Sequence, residues 1–517
     1  MSNNNGEQVI AVVSPRSIGG ISLFESMTAI TKENVGQFHS EVVDIEATAA
    51  ELTKLGFEVL QQGPVTLSIA GTRKLFEEVF GAKLRREKTA MMADIEAEFL
   101  AAEAPLAVPD ALTDLIEGVA IAQPPEFYES PLPPLTPVDP AAYRYLFVPD
   151  EVGLIVNADR VHRMGATGKG VKVAMPDTGF YPHPFYNWHG YDAKSTVLGP
   201  GAADPGKDDY GHGTGEAANI FAVAPGATLI PVKMGDDAVG AFNTAVAQGP
   251  KVITNSWGYN VDSMSWAQLK AANLNLHNLL RALEAAVAHA VASGIVVCFS
   301  AGNGQKSFPG SHPDVISVGG VHVKYPFLSF DDLEASSYAS SFDSKLYPGR
   351  HAPDLCGLTG KLVVIGGQGR APSIMLPVQP GCTLDGITPS TGAANDGWGL
   401  FSGTSAASPQ VAGGVALLLE KKPSLTPAQV KDILKKSATD VKTGTSGNGQ
   451  PAGPGVDAAT GAGLLNAKWA WLNTTAELIV DYLEAPPDVQ ALMLASGQVP
   501  RFPRQYIEEL MTALRSR

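Results

Sequence analysis

The sequence predicts an α/β protein, a parallel sheet flanked by helices, preceded by a smaller α+β domain. Two observations carry the prediction. Between about 150 and 472, short β-branched runs alternate with helical patterns, which argues a parallel sheet covered on both faces. Ahead of it, residues 8–122 mix strand and helix signals in another order, and a proline-rich stretch over 123–149 separates the two regions.

In the first region, 9–13 is an apolar strand. Apolar residues at helical spacing over 44–55 end at Gly56. Residues 58–69 read as two strands broken at Gly63-Pro64, with Thr66 and Ser68 alternating against Val65, Leu67 and Ile69. Thr72 is an N-cap for a helix over 73–80, whose Leu75, Phe76, Val79 and Phe80 form an apolar face. A strand over 115–121 completes β-α-β-β-α-β, a ferredoxin-like order. The stretch Val65 to Thr72, followed by Phe76 to Gly81, resembles the activation prodomain of the sedolisin proteases. The linker that follows is extended and polyproline-like, hence exposed and easily cleaved.

In the main region, 171–175 is a strand leading into Pro176-Asp177-Thr178-Gly179. A carboxylate at the C-terminal end of a parallel strand faces the crevice where such sheets bind ligands. A glycine-flanked histidine, Gly211-His212-Gly213-Thr214, precedes an alanine-rich helix. Strands over 229–234 and 252–255 follow, the second running into Ser256-Trp257-Gly258. A helix over 276–292 stops at Gly294, and a strand over 295–300 ends in Ala301-Gly302-Asn303. Another strand is expected over 361–367, inside a Gly- and Pro-rich stretch. Then Phe401-Ser402-Gly403-Thr404-Ser405 opens an apolar helix, which places Ser405 where free N–H groups and the positive dipole end meet the surface. Thr426 and Pro427 start a last helix as N-cap and N1. The tail, 473–517, has amphipathic helical patterns around 479–483 and 507–514, and we assign it no role.

Composition narrows the function. The 52 Asp and Glu against 37 Lys and Arg, net −15, argue against a nucleic-acid binder. No apolar run is long enough to span a bilayer, so no membrane partner is expected. The first residues have neither a basic start nor an apolar core, so they do not form a secretory signal and a cytoplasmic location is expected. Cys298, Cys356 and Cys382 make neither a disulfide framework nor a metal-binding pattern. Glu216 lies four residues after His212, but the second histidine of a zinc helix is missing, and no metal is assigned.

Taken singly, Asp177 is also compatible with a turn, His212 with a loop position, and Asn303 with a left-handed turn beside Gly302. Taken together, Asp177, His212, Asn303 and Ser405 stand at four strand or helix ends, and Asp–His–Ser is one of the known chain orders of triad enzymes. On Asp177-Thr178-Gly179, Gly211-His212-Gly213-Thr214, Ser256-Trp257-Gly258, Ala301-Gly302-Asn303 and Gly403-Thr404-Ser405, the sequence resembles the subtilisin-like serine proteases (subtilases).

The resemblance implies a subtilisin-like fold and a serine endopeptidase made as a zymogen. Its substrates would be proteins or peptides, and its own prodomain would be an intramolecular inhibitor. Ser405 would be the nucleophile, His212 the general base and Asp177 its orienting carboxylate. Asn303 would donate to the oxyanion, and Ser256, Trp257 and Gly258 would pair with extended substrate. Chemistry of this kind needs no cofactor. Calcium supports many subtilases, yet no carboxylate loop here earns an assignment. Three positions depart from the family pattern: Gly215 replaces a common histidine, and Ala406 and Ser408 replace the usual Met and Ala. The Asn303–Ser405 interval is also long, implying an insertion over about 359–398 that shapes the cleft. The alternative is a proteolytically silent peptide-binding protein with the same fold; the intact set of four residues argues against it.

Overall fold

Alternation along the first strand decides how the N-terminal unit is built. Val9, Ala11 and Val13 face the helices Val42–Lys54 and Arg73–Phe80, in a core with Leu52, Phe57, Phe76 and Phe80. Val12 points the other way, into the core of the larger unit. A computed structural model describes residues 7–92, 95–127, 145–323, 333–359, 363–365, 368–370, 374–387, 395–474 and 486. In it the N-terminal sheet is antiparallel, in the order Glu58–Gln62, Leu67–Thr72, Gln8–Pro15, Ile116–Ile121. This is the arrangement expected from β-α-β-β-α-β. Thr72 caps its helix, accepting from the Leu75 N–H, and Gly81 ends it in the left-handed region at φ 74°.

A hairpin not expected from the sequence, Leu84–Met92 with Ile95–Ala102, is inserted before the last strand. Its exposed positions carry charges that pair across the strands, Lys88 with Glu96 at 3.0 Å and Arg86 with Glu98 at 3.5 Å.

The larger unit is built on one sheet. Its path runs Asp192–Ala193, Thr228–Lys233, Lys172–Asp177, Val252–Asn255, Val296–Ser300, Ile316–Val323, Leu333–Ala335. Val197–Leu198 also pairs with Thr228–Lys233, and Leu355–Leu358 with Ile316–Val323. Every pairing is parallel except that of the edge strand Leu333–Ala335. The expected strands over 171–175, 229–234, 252–255 and 295–300 are all present, as is the long helix, at Leu274–Ala292. Of the strand expected over 361–367, Val363–Ile365 pairs with Gln368–Arg370 in a two-stranded ribbon apart from the main sheet, and 361–362 and 366–367 lie outside the described residues.

Through the middle of the unit runs the Thr404–Lys421 helix, buried from Thr404 to Leu419 and packed along His212–Val223. The close crossing needs Gly413, where a Cβ would stand 2.7 Å from Val223 Cβ and 2.9 Å from the Ile220 carbonyl. Thr426 and Gln429 form a reciprocal capping box on Pro427–Ser437.

The free face of the N-terminal sheet sits on the helices Ala238–Ala247 and Leu274–Ala292. Asn275 exchanges two hydrogen bonds with the Ile121 backbone, at 2.7 and 3.1 Å. A loop from the N-terminal unit plugs deeper. Ile30, fully buried, donates its N–H to Glu284 and accepts from His312 Nε2, while Arg281 donates to the Thr28 carbonyl. Burial pushes the Glu284 carboxyl up to about 7, against the pull of Arg281, Tyr347 and the Ile30 amide. Lys32 pairs with Asp314 at 2.9 Å. The expected helices of the 473–517 tail lie outside the described residues, and no described helix is long and apolar enough to cross a membrane.

Candidate active site

The expected residues come from the C-terminal edge of the sheet, where a parallel sheet opens its crevice. Asp177 ends the strand Lys172–Asp177 and is fully buried. Its Oδ1 lies 2.7 Å from His212 Nδ1, and accepts from the Thr178 N–H at 2.7 Å. His212 is the first residue of its helix and is also fully buried. Gly211, just before it, has φ 89°, and a Cβ there would meet Cys382 Sγ at 2.4 Å.

Asp208 was missed from the sequence, where a loop carboxylate carries no distinguishing signal. Buried, it accepts from Thr178 Oγ1 at 2.8 Å, the Gly211 N–H at 2.9 Å, and both Thr214 N–H and Oγ1 at 2.8 and 2.6 Å. It thereby ties the residue after Asp177 to the turn that carries His212. Part of the expected insertion braces the same turn. Gln379 Oε1 accepts from the Asp208 N–H, and the Thr383 and Leu384 N–H groups donate to the Asp209 and Tyr210 carbonyls.

Ser405 stands in the first turn of the Thr404–Lys421 helix, as expected. Its Oγ donates to the Ser256 carbonyl at 3.2 Å, and its own carbonyl accepts from Ser256 Oγ at 2.9 Å. The second bond has a reason in the sequence. A helix would satisfy that carbonyl from residue 409, which is proline and has no N–H. The Ser256 side chain therefore fastens the serine turn instead of facing outward. The Trp257 side chain is likewise inward, buried and donating to the Pro176 carbonyl at 2.9 Å. What Trp257–Asn260 leaves for another chain is its backbone.

Asn303 is not a left-handed turn residue; the positive φ belongs to Gly302, at 111°, and to Gly304. Asn303 Oδ1 accepts from the Thr404 N–H at 2.9 Å and Thr404 Oγ1 at 3.2 Å, beside Ser405. The amide's donor end is thus turned away from Thr404.

Two departures from the family pattern have local reasons. At Gly215 a Cβ would lie 2.3 Å from Phe401 Cζ, so the Phe401 ring fills the space a side chain would need. Ser408 bonds Thr254 at 3.1 Å across the core. Glu216, fully buried, holds its Oε1 3.9 Å from His212 Nε2 and accepts from Asn219 at 3.0 Å.

A piece of the expected linker occupies the crevice. Glu126–Phe127 forms a strand antiparallel to Trp257–Asn260, pairing Phe127 with Trp257 and Glu126 with Gly258. The Phe127 ring meets the His212 ring edge to face at 5.3 Å. Tyr259 Oη donates to the Gln123 carbonyl at 2.9 Å. Gln305, also unforeseen, donates from Nε2 to Glu126 Oε1 at 2.7 Å. Among the described residues, no three His, Cys, Asp or Glu side chains gather as a metal site.

Comparisons with known proteins agree with this geometry. The Subtilase family matches residues 168–463, more than half of the chain. Subtilisin NAT of Bacillus subtilis subsp. natto is 30% identical over 306 residues, 55% of this chain and 64% of that protein. Subtilisin BL of Lederbergia lenta is 29% identical over 328 residues, 61% of this chain and 96% of that protein. The chain thus spans less than two thirds of the length of some of its curated relatives. A crystal structure of fervidolysin from Fervidobacterium pennivorans, described as a keratinolytic enzyme related to subtilisin, aligns with TM-score 0.51. It is 18% identical and covers 91% of this chain and 62% of its own. That likeness bears on the fold alone. With the family match spanning the Asp177, His212, Asn303 and Ser405 blocks, the chain belongs to the subtilase family.

Proposed function

We propose that this protein is a serine endopeptidase whose N-terminal unit covers its own cleft until it is cut away. The observation that carries the proposal is the buried Asp177–His212 hydrogen bond at 2.7 Å, facing a polypeptide strand already seated on Trp257–Gly258. Asp177 holds the imidazole with Nδ1 protonated, which leaves Nε2 as the base. Ser405 gives its proton to His212 as it attacks the peptide carbonyl, and the imidazolium returns it to the leaving amine. Asn303, with backbone N–H groups of the serine turn, receives the charge that grows on the carbonyl oxygen. Each required group is a side chain or backbone amide of this chain, and the reaction calls on no cofactor.

The zymogen part of the proposal rests on the N-terminal unit's docking and on Glu126–Phe127. A strand lying where extended substrate would pair excludes other chains, and a covalent tether keeps its local concentration high. Cleavage within about 101–150 would break the tether and convert the cover into a separable inhibitor. The test compares the full chain with its Ser405→Ala variant, by intact mass and by hydrolysis of an unfolded protein such as casein. The wild type should be cut between the two units and should degrade casein. Ser405→Ala should stay intact and lose about 10⁶ in kcat, the loss known for subtilisin itself. Equal activity of the two proteins would refute the assignment.

A further inference from the structure

The side-chain amide of Gln305 bridges the oxyanion loop and the strand in the cleft. Its Oε1 accepts the Asn303 backbone N–H at 2.7 Å, and its Nε2 donates to Glu126 Oε1 at 2.7 Å. The first bond dictates the second. An amide has one acceptor end and one donor end, so a backbone N–H on the acceptor end turns the donor end to the cleft. The loop around it is held as well: Ser340 Oγ donates to the Gln305 carbonyl at 2.5 Å and accepts the Gly304 N–H at 2.8 Å. A fixed donor in a half-buried place is costly to leave unmet and favours an acceptor opposite it.

The strand register says which substrate position faces this donor. A peptide that pairs as Phe127 does with Trp257 and Glu126 does with Gly258 brings its next residue opposite Ser256. The Ser256 carbonyl accepts from Ser405 Oγ, so the carbonyl attacked belongs to that next residue. Phe127 then stands at the second and Glu126 at the third position before the scissile bond. Phe127 is buried against the His212 ring, which suits an aromatic side chain.

We propose that Gln305 is a specificity-determining residue, selecting a glutamate at the third position before the scissile bond, beside an aromatic residue at the second. The proposal rests on the endopeptidase reading above and names its substrate class: polypeptides carrying Glu-aromatic one residue ahead of the cut. Burial raises the Glu126 carboxyl from its ordinary value while the Gln305 bond lowers it. The Gln305 donor is a neutral amide, so recognition is by hydrogen bonding to an acceptor more than by charge, and a glutamine in the substrate should serve in part. A lysine sets donor against donor.

The experiment has two arms on the full chain. In the first, the wild type acts on quenched peptides that differ only at the third position: Glu, Gln, Leu or Lys. We expect kcat/KM for Glu to exceed that for Leu about tenfold, with Gln between them and Lys lowest. Gln305→Glu keeps an acceptor for the Asn303 N–H and removes the donor, so the Glu/Leu ratio should fall below one. An equal rate on all four peptides, or an unchanged ratio in Gln305→Glu, overturns the proposal.

The second arm needs no catalysis. In a Ser405→Ala background, added chymotrypsin reports how firmly the cleft holds Phe127. Glu126→Lys should speed cleavage there about tenfold, and Gln305→Glu in the same chain should restore protection. Additive effects overturn the subsite. Coupling without any casein hydrolysis would defeat the endopeptidase reading and leave the subsite standing; hydrolysis without preference or coupling would do the reverse.

Discussion

Replacing Asn303 by aspartate changes one group and leaves the shape. Asn303 Oδ1 holds the Thr404 N–H and Oγ1 at 2.9 and 3.2 Å, and both bonds survive in Asn303→Asp because the acceptor remains. The other end changes from a donor to an acceptor. Loss of one oxyanion donor costs about 10²–10³ in kcat, about 2.7–4 kcal/mol; the figure is that of the subtilisin asparagine and comes to this chain through the family. A carboxylate in its place adds repulsion. Two like charges 4 Å apart at an effective dielectric constant of 20 repel by about 4 kcal/mol. We therefore expect kcat to fall by at least about 10³. KM should hardly move, since the backbone of Trp257–Asn260 is untouched. Asn303→Leu serves as the contrast. It removes the donor and also strands the Thr404 groups, so it should lose about 10²–10³ in kcat and about 1–3 kcal/mol of stability. Steady-state kinetics with denaturant unfolding separates the two effects. An Asn303→Asp enzyme within tenfold of wild-type kcat would show that Asn303 only braces the helix start.

Three further outcomes follow from buried groups. Asp208→Ala strips the acceptor from four donors and should destabilise the larger unit by about 3 kcal/mol or more, read as a lower denaturant midpoint; an unchanged midpoint would mean the turn holds without it. Glu216 lies 3.9 Å from His212 Nε2, where an anion favours the imidazolium, so Glu216→Gln should move the acid limb of kcat/KM to lower pH. An identical profile removes Glu216 from the account. His39 and His289 meet across the two units at 3.2 Å, and burial lowers both from their ordinary value. Their neutral forms are favoured when docked, so this contribution is complete above pH 6.5 and lost as pH falls below it. Protection of the Ile18 amide, bonded to the His39 carbonyl, from hydrogen exchange, taken relative to the intrinsic rate at each pH, should fall below pH 6.5 and do so less in His39→Gln; the same response in both proteins would place the effect elsewhere.

The chemistry of the site was legible where it lies at the ends of self-declaring elements. Val252–Asn255 and Val296–Ser300 are short buried strands whose composition reveals them, and the residues after them fall at the crevice by topology alone. Ser405 was placed by the apolar helix behind it. The hairpin Leu84–Met92 with Ile95–Ala102 was not legible, because cross-strand charge pairs, not an apolar face, mark its exposed positions. Leu355–Leu358 was also missed. Its Gly357 weakens any strand signal, yet it is needed there, since a Cβ would meet the Ala407 carbonyl at 2.7 Å. That strand exists because Ile316–Val323 offers an edge and the serine helix lies across it.

Glu126–Phe127 marks the limit of reading a chain locally. Two residues within a proline-rich run are too few to show a strand pattern, and by sequence the segment is an extended linker. Its strand character comes from the partner: Trp257 turns its side chain inward, Gly258 has none, and both leave backbone groups that extended polypeptide can meet. The same unmet backbone is what a protease needs for its substrates. On the reading proposed above, the linker that meets it imitates a substrate, with an aromatic ring on His212 and a carboxylate on Gln305. Self-cover and specificity, as proposed, would then rest on one set of contacts. A substitution that weakens the cover, such as Glu126→Lys, is by the same physics a statement about which peptides the cleft will accept.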